Sequence, residues 1–507
     1  MRNIYGIALV LLLGASSCRT TGSSTAGGRD DGKIEVVFVQ VNDVYEIAPL
    51  SGGKEGGMAR VASLKKKYLQ QNPNTFLVMS GDFVSPSVYN SLQYQGKAIR
   101  GKQMVEAMNA AGTDLAVFGN HEFDIRENEL QDRINESEFQ WVASNAFHKK
   151  NDKAAPFVKN GKEAIPKTRI ITVKDKDGTT ARIGFIGLTL PFNRADYVSY
   201  TDPLQTAKEL YAQLKDSVDA VVAVTHQLIE EDIRLARELP GLALILGGHE
   251  HDRRFEKIGK VYITKAHANA KSAYVVTLKI NKKRGRLKAD PELEYINEKL
   301  PFDPATDAVV QKWVGIADKN FGSLGFDVRK TLIGSGAPLD GRESEVRFRS
   351  TNLTRLIVSA IAHAAPKADV VLMNSGSIRV DDILQMPVTQ YDIIRTLPFG
   401  GGIREADMKG SLLIKTLEQG RKNAGNGGFL QYNENVTYDA SGSWKLNGSP
   451  IDPNKTYRVA MAEFLLSGKE ANMDFLNSKN PGVVKVHEAE GASLSDIRIA
   501  VIKYVER

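Results

Sequence analysis

The sequence predicts an α/β sandwich, a connecting helix and a second, smaller α/β domain, on three observations. From Ile34 to about Tyr295, strand-like apolar runs alternate with helical stretches at residues 59–71, 102–111 and 203–215. Such alternation argues for helices layered on a sheet. Five of the runs, residues 34–41, 75–80, 115–118, 218–224 and 242–246, are short, continuous and bounded by Gly and polar residues. That is the pattern of strands buried on both faces. The pattern changes at residues 298–325, which open with Pro301 and Pro304 and then carry helical periodicity through Val309, Val310, Trp313, Val314 and Ala317. A helix joining two domains fits this stretch. Strands (residues 370–373 and 457–460) and helices (351–364 and 411–419) then resume. The expected division is residues 1–17, 18–32, 33–297, 298–328 and 329–507: signal, tether, first domain, linker helix and second domain.

Composition narrows the function classes. The chain has 507 residues, 42% hydrophobic and 25% charged, which suits a globular protein of two or more domains. A formal charge of +7 is mild over so large a surface, and no Lys/Arg block exceeds Lys65-Lys66-Lys67. No basic stripe is interleaved with aromatics, so a nucleic-acid polymer is not an expected partner. Nothing in the sequence marks an obligate protein partner.

The first twenty residues read as an export signal. Met1-Arg2-Asn3 is a short cationic start, and residues 7–13 form an apolar core too short to span a bilayer. Gly14-Ala15-Ser16-Ser17 places small residues ahead of Cys18, the single cysteine. This resembles a bacterial lipoprotein signal cut before Cys18, with lipid attached there. A lipid-bearing Cys18 leaves the mature chain without a disulfide. Residues 19–31, rich in Gly, Ser and Thr, read as a flexible tether. The expected location is exported and lipid-anchored in the cell envelope, with Arg19 rather than Asp after Cys18 favouring the outer membrane.

The chemistry lies where the five strands end. Asn42-Asp43-Val44-Tyr45 follows the first and Gly81-Asp82 the second. Gly119-Asn120-His121-Glu122-Phe123-Asp124, Thr225-His226 and Gly247-Gly248-His249-Glu250-His251 follow the others. Ligands bind beyond the carboxyl ends of strands in open α/β sheets, so two Asp, one Asn and four His converge on one edge. Two-metal hydrolases need a carboxylate shared by both ions, neutral ligands on each, and open positions for water and substrate. Asp82 is the natural bridge. Asp43 would complete one ion, Asn120 and His226 the other, while His249 and His251 serve one each.

These five segments, in this order, resemble the calcineurin-like metallophosphoesterases. Residues 119–124 are especially similar to the 5′-nucleotidase branch, which includes UDP-sugar hydrolases and 2′,3′-cyclic phosphodiesterases. The resemblance implies a four-layer αββα sandwich. It also implies two divalent ions, Zn, Mn or Co, one held by Asp43, residue 45, Asp82 and His251, the other by Asp82, Asn120, His226 and His249. His121 paired with Asp124 would be the catalytic dyad. The family places His two residues after the first Asp, where this chain has Tyr45. A phenol with a pKa of ~10 is a poor ligand for Zn²⁺ at neutral pH. Tyr45 could hold a ferric first ion, turn away and leave fewer ligands, or mark a weakened site. The second outcome is the expectation, because the other ligands remain.

Segments after residue 336 resemble the C-terminal domain of the same branch: Leu339-Asp340-Gly341-Arg342, Val346-Arg347-Phe348-Arg349, Asn374-Ser375-Gly376-Ser377-Ile378-Arg379, Leu397-Pro398-Phe399-Gly400 and Gly428-Phe429-Leu430-Gln431. By that resemblance Arg347, Asn374 and Arg379 meet the anionic or ribose part of a nucleotide, and Phe399 and Phe464 sandwich the base. Arginine forks suit phosphate oxygens and flat aromatic faces suit nucleobases, although an unplaced Phe is more often core. The family's Gly-Gly-Asp-Gly loop after the second aromatic is here Ser467-Gly468-Lys469-Glu470, with Asp474 as a substitute for the ribose contact. The expected function is an exported dimetal phosphoesterase of 5′-nucleotidase type. The alternatives are a cyclic phosphodiesterase, a nucleotide-sugar pyrophosphatase or a hydrolase of sulfur-linked groups on the same fold. A surface binding protein with an impaired metal site is a third class.

Overall fold

The computed structural model describes residues 30–192, 195–487 and 492–507. The expected signal, Cys18 and nearly all of the tether lie outside them. Strands β1 (Lys33–Val41), β2 (Thr75–Met79), β3 (Leu115–Ala116) and β4 (Gln140–Trp141) begin a first sheet. The chain then builds a whole second sheet from β5 (Thr168–Lys174), β6 (Thr180–Thr189), β7 (Ala220–His226), β8 (Leu244–Gly248), β9 (Arg254–Ile258) and β10 (Val261–Lys265). It returns to the first with the hairpin β11 (Ser272–Asn281) and β12 (Arg286–Tyr295). The strand orders are β12-β11-β1-β2-β3-β4 and β5-β6-β7-β8-β10-β9.

Period-two alternation along β1 explains the layering. Ile34, Val36 and Phe38 enter a core shared with Ile183, Phe185, Val222 and Leu246 of the other sheet. Val37, Val39 and Val41 face helices instead. Helices α1 (Met58–Gln71) and α2 (Lys102–Ala110) cover the outer face of the first sheet. Helices α3 (Pro203–Leu214) and α4 (Ile229–Glu238) cover that of the second. The result is the four-layer αββα sandwich that the sequence leads one to expect. Phe38 and Phe185 meet across the sheets edge to face, with centroids 5.9 Å apart.

Between the domains runs α5 (Pro304–Ser323), shorter than the expected residues 298–328. Pro304 occupies its first turn and Asp303 Oδ1 caps it by accepting from Thr306 N at 3.0 Å. Val310, Trp313, Ala317 and Phe321 are buried, and Trp313 Nε1 donates to Glu106 Oε2 at 2.9 Å. That stripe fastens α5 to α1 and α2.

Beyond α5, strands β13 (Val370–Asn374), β14 (Ile403–Lys409), β15 (Leu430–Tyr432), β16 (Thr456–Ala462) and β17 (Val483–Val486) form a sheet in the order β15-β13-β16-β14-β17. Helices α6 (Asn352–Ala364) and α8 (Ile497–Val505) pack on one face, and α7 (Gly410–Lys422) on the other. Among the described residues no helix is long and apolar enough to cross a membrane.

Candidate dimetal centre and substrate cleft

The parallel neighbours β1, β2 and β3 end beside the parallel neighbours β7 and β8 of the facing sheet. The chain turns abruptly at these ends. Asp43, Asp82 and His249 take φ of +52°, +54° and +93°, a left-handed conformation that costs a non-Gly residue about 1–2 kcal/mol. Three such residues at one edge are the mark of a functional site. Close approach adds to this. A Cβ on Gly81 would lie 2.6 Å from His226 Nδ1, and one on Gly248 would lie 2.3 Å from Ser80 O.

Asp43, Asp82 and His226 are fully buried, and their ligand atoms lie within 4.8 Å of one another. Asp43 Oδ2 accepts from Asn42 Nδ2 at 2.7 Å and from His249 N at 2.9 Å, which leaves Oδ1 for the centre. Asp82 Oδ1 accepts from His121 N at 2.8 Å, and its Oδ2 lies 3.0 Å from His226 Nε2. His226 Nδ1 is held 2.7 Å from Ser80 O, so Nε2 faces inward as a lone-pair donor. Asn120 Oδ1 is buried without a hydrogen-bond partner. Buried polar atoms are nearly always paired, so an orphaned amide oxygen beside two carboxylates and an imidazole is what a cation-binding site requires. The residues fit a divalent ion.

The electrostatics agree. Burial opposes charge on His226, yet Asp82 and Asp43 push its pKa up to about 9. The carboxylates demand a cation. Burial, reinforced by His226, drops His249 to about 3 and keeps its imidazole neutral. Burial raises Asp43, whereas Asp82 is held well below the usual carboxylate range by His226 and His121 despite its burial.

Tyr45 does not turn away, contrary to expectation. Its hydroxyl sits 3.0 Å from His251 Nε2, 3.3 Å from Asp82 Oδ2 and 3.4 Å from Asp43 Oδ1. Asn269 Oδ1 accepts from Tyr45 N at 3.1 Å and fixes the backbone that aims the ring. Burial first, then Asp82 and Asp43, raise the phenol well above its ordinary pKa. His251 completes this side, and its Nδ1 lies 2.7 Å from Asp381 Oδ2 of the C-terminal domain.

His121 and Asp124 form the expected pair, Nδ1 to Oδ2 at 2.6 Å, half-buried at the rim. Burial lowers the imidazole pKa, but Asp82 and Asp124 outweigh it and raise it overall.

Sequence reasoning gave Glu122 no role, and it has a central one. Its Oε2 accepts from Asp82 N at 2.9 Å and Gly119 N at 2.5 Å, and its Oε1 from Phe83 N at 2.7 Å and Val84 N at 3.0 Å. One carboxylate thereby ties the Asp82 turn to the Asn120 turn. Lys265, fully buried, does similar service below the His pair: Nζ donates to Gln227 O at 2.6 Å and Glu250 Oε2 at 2.5 Å and lies 2.9 Å from Asp232 Oδ2. The signal for Glu122 was a charged residue set between the expected ligand Asn120 and the expected pair His121 and Asp124.

In the C-terminal domain, Asn374, Phe399 and Phe464 line one pocket of about 580 Å³, within the range for small-molecule sites. Phe399 is 71% exposed and Phe464 46%, so neither is core. Glu470, not Asp474, lines the pocket, where its Oε2 accepts from Asn374 Nδ2 at 2.7 Å. Arg347 and Arg379 lie apart from the aromatics, both beside Glu343, each with a buried Nε that has no partner. Arg379 also lines a small cavity with Tyr45 and Asn269.

Comparison with known proteins agrees with both halves. The profile of the calcineurin-like phosphoesterases matches residues 36–253, and that of the 5′-nucleotidase C-terminal domain matches residues 332–477. Protein UshA of Yersinia enterocolitica is 26% identical over 495 residues, covering 86% of each chain. The 5′-nucleotidase of Bos taurus is 25% identical over 471 residues, covering 82% of this chain and 78% of its own. The crystal structure of a 5′-nucleotidase precursor from Thermus thermophilus superimposes with a TM-score of 0.68 at 24% identity, over 93% of this chain and 96% of that one.

Proposed function

The chain belongs to the 5′-nucleotidase branch of the calcineurin-like phosphoesterases, metal-dependent phosphoester hydrolases acting on nucleotides, and on that premise we propose that it converts nucleoside 5′-monophosphates to nucleoside and phosphate. One observation carries the choice of ester. The segment from residue 374 to 381 runs from the aromatic pocket, at Asn374 and Ser377, to the metal edge, at Asp381, with Arg379 between. A base between Phe399 and Phe464 and a phosphate at the metal edge fit the two ends of that segment.

Asp43, Asp82, His251 and the Tyr45 position would hold one divalent ion, and Asp82, Asn120, His226 and His249 the other. Bound there, two ions would supply an activated water and neutralise the phosphoryl oxygens. The rest falls to this chain's own side chains. Asp124 fixes Nδ1 of His121, leaving Nε2 to give its proton to the departing ester oxygen. Arg347 and Arg379 offer unpaired N–H groups to phosphate oxygens. We assign the ribose hydroxyl contact to Glu470, since Asp474 does not line the pocket. The alternative of a decayed binding protein rested on Tyr45 alone, against an otherwise complete set of ligands.

The test is phosphate release from AMP, UDP-glucose and a 2′,3′-cyclic nucleotide, with Mn²⁺, Zn²⁺, Co²⁺ or chelator. Metal-dependent release strongest on AMP and lost in His121→Ala supports the reading. Turnover confined to a cyclic or sugar nucleotide refutes the choice of ester. Export with lipid at Cys18 is a second proposal, supported by residues 1–18 alone. Cys18→Ala should move the protein from the membrane to the soluble fraction, and an unchanged distribution would end that idea.

A further inference from the structure

We propose that Asp381, a residue of the C-terminal domain, is the positioning residue for the ligand His251, so that the first ion's site is completed only across the domain interface. The inference rests on the dimetal reading above and concerns one side of it.

The two sides of the centre are supported differently. His226, on the second ion's side, is oriented by Ser80 O from its own domain. His251 takes its orientation from the other domain: Nδ1 lies 2.7 Å from Asp381 Oδ2, while Nε2 faces Tyr45 and lies 3.6 Å from Asp43 Oδ1. A carboxylate on one ring nitrogen fixes the tautomer and aims the other nitrogen at the ion. Asp381 is itself fixed. Its Oδ1 accepts from Glu343 N at 2.6 Å, and its φ of +36° is uncommon for a non-Gly residue.

The same segment docks the domains and carries substrate-binding groups. Asp382 accepts from Lys271 Nζ of the catalytic domain at 2.6 Å, and Arg379 lines the cavity shared with Tyr45. Tyr45 sharpens the dependence, because a phenol stands where the family supplies an imidazole. His251 is the only imidazole left to that ion. Whatever seats the C-terminal domain, substrate included, then raises affinity for the first ion, and by linkage that ion favours the seated domain.

The measurement is a Mn²⁺ titration of the full chain against a competing chelator, which reads affinity and stoichiometry without turnover. The wild type should take two ions. Asp381→Asn should weaken one of them by about 10–100-fold and leave the other unchanged. In a His251→Ala background, Asp381→Asn should cost nothing further, as expected when one residue acts through another. Two ions bound at wild-type affinity by a folded Asp381→Asn chain would overturn the inference, as would additive losses in the double variant. Should Asp381→Asn fail to fold, hydrogen exchange of residues 378–382 in the wild type decides: it should slow on saturation with Mn²⁺, and exchange indifferent to Mn²⁺ rejects the coupling. A wild type that binds no ion at all strikes the dimetal reading itself, which separates the two failures.

Discussion

Replacing Glu122 by Gln probes the metal edge without touching a ligand. Each carboxylate oxygen accepts two backbone N–H groups, Asp82 and Gly119 on one, Phe83 and Val84 on the other. An amide keeps one acceptor oxygen and turns the other into a donor that faces two donors. Two N–H groups are thereby left buried and unpaired, each costing about 1–3 kcal/mol, or about 2–6 kcal/mol together. For a domain of this size a kilocalorie moves the melting temperature by about 2–4 °C, so a fall of roughly 4–24 °C is expected. The Asp82 and Asn120 turns loosen with it, and metal affinity should fall about 10–100-fold. Thermal melts of the chelated and Mn²⁺-loaded chain, followed by phosphate release, read both effects. Burial, with Asp82 adding to it, pushes the Glu122 pKa up to about 7. A carboxyl that is neutral in the fold would tolerate Gln. A Glu122→Gln chain melting within about 1 °C of wild type, with unchanged metal affinity, would therefore refute the argument.

Three further outcomes are expected. Glu46 is buried against Tyr391 of the C-terminal domain, and burial pushes its pKa from 4.5 up to about 7. The folded state then holds the extra proton, so stability is full below about pH 4.5 and falls as pH rises through 7, by about 3 kcal/mol. Glu46→Gln should flatten that slope, and melts at pH 5 and pH 8 that shift in parallel with wild type would contradict it. Phe399→Ala should raise KM for AMP by roughly 5- to 150-fold, the worth of one stacked base, with little change for a phosphomonoester that has no base. Equal KM changes on both substrates would place Phe399 outside the base site. Tyr45→His should raise metal content and turnover by restoring an imidazole beside Asp43, whereas abolished turnover would make Tyr45 a working ligand.

What was legible in the sequence was what short-range pattern encodes. The strands that carry Asp43, Asp82, Asn120, His226 and His249 are continuous apolar runs because both their faces are covered. Their ends therefore announce themselves by the first polar residues after each run. Phe399 and Phe464 were ambiguous, since a lone Phe reads the same in a core and in a cleft, and only their exposure separates the two. Glu470 was passed over for Asp474 because the loop departs from the family's spacing, and pocket lining is not written in spacing. The orientation of Tyr45 was misread for a related reason. Its direction is set by Asn269, far along the chain on the turn that also bonds Asp43 O through its own N–H.

The unread contacts share one physical property. Glu122 bonds backbone N–H groups, which every residue type presents alike, so its partners leave no trace in composition. Asp381 and His251 belong to different domains, where no periodicity relates one to the other. Ligands are chosen for what their side chains are, and the groups that aim them for where the fold happens to put an acceptor. A chain can thus keep every ligand and still lose the site through Glu122 or Asp381. Conversely, it can replace one ligand, as Tyr45 replaces an imidazole, and keep the site so long as those acceptors hold the remaining ones in place.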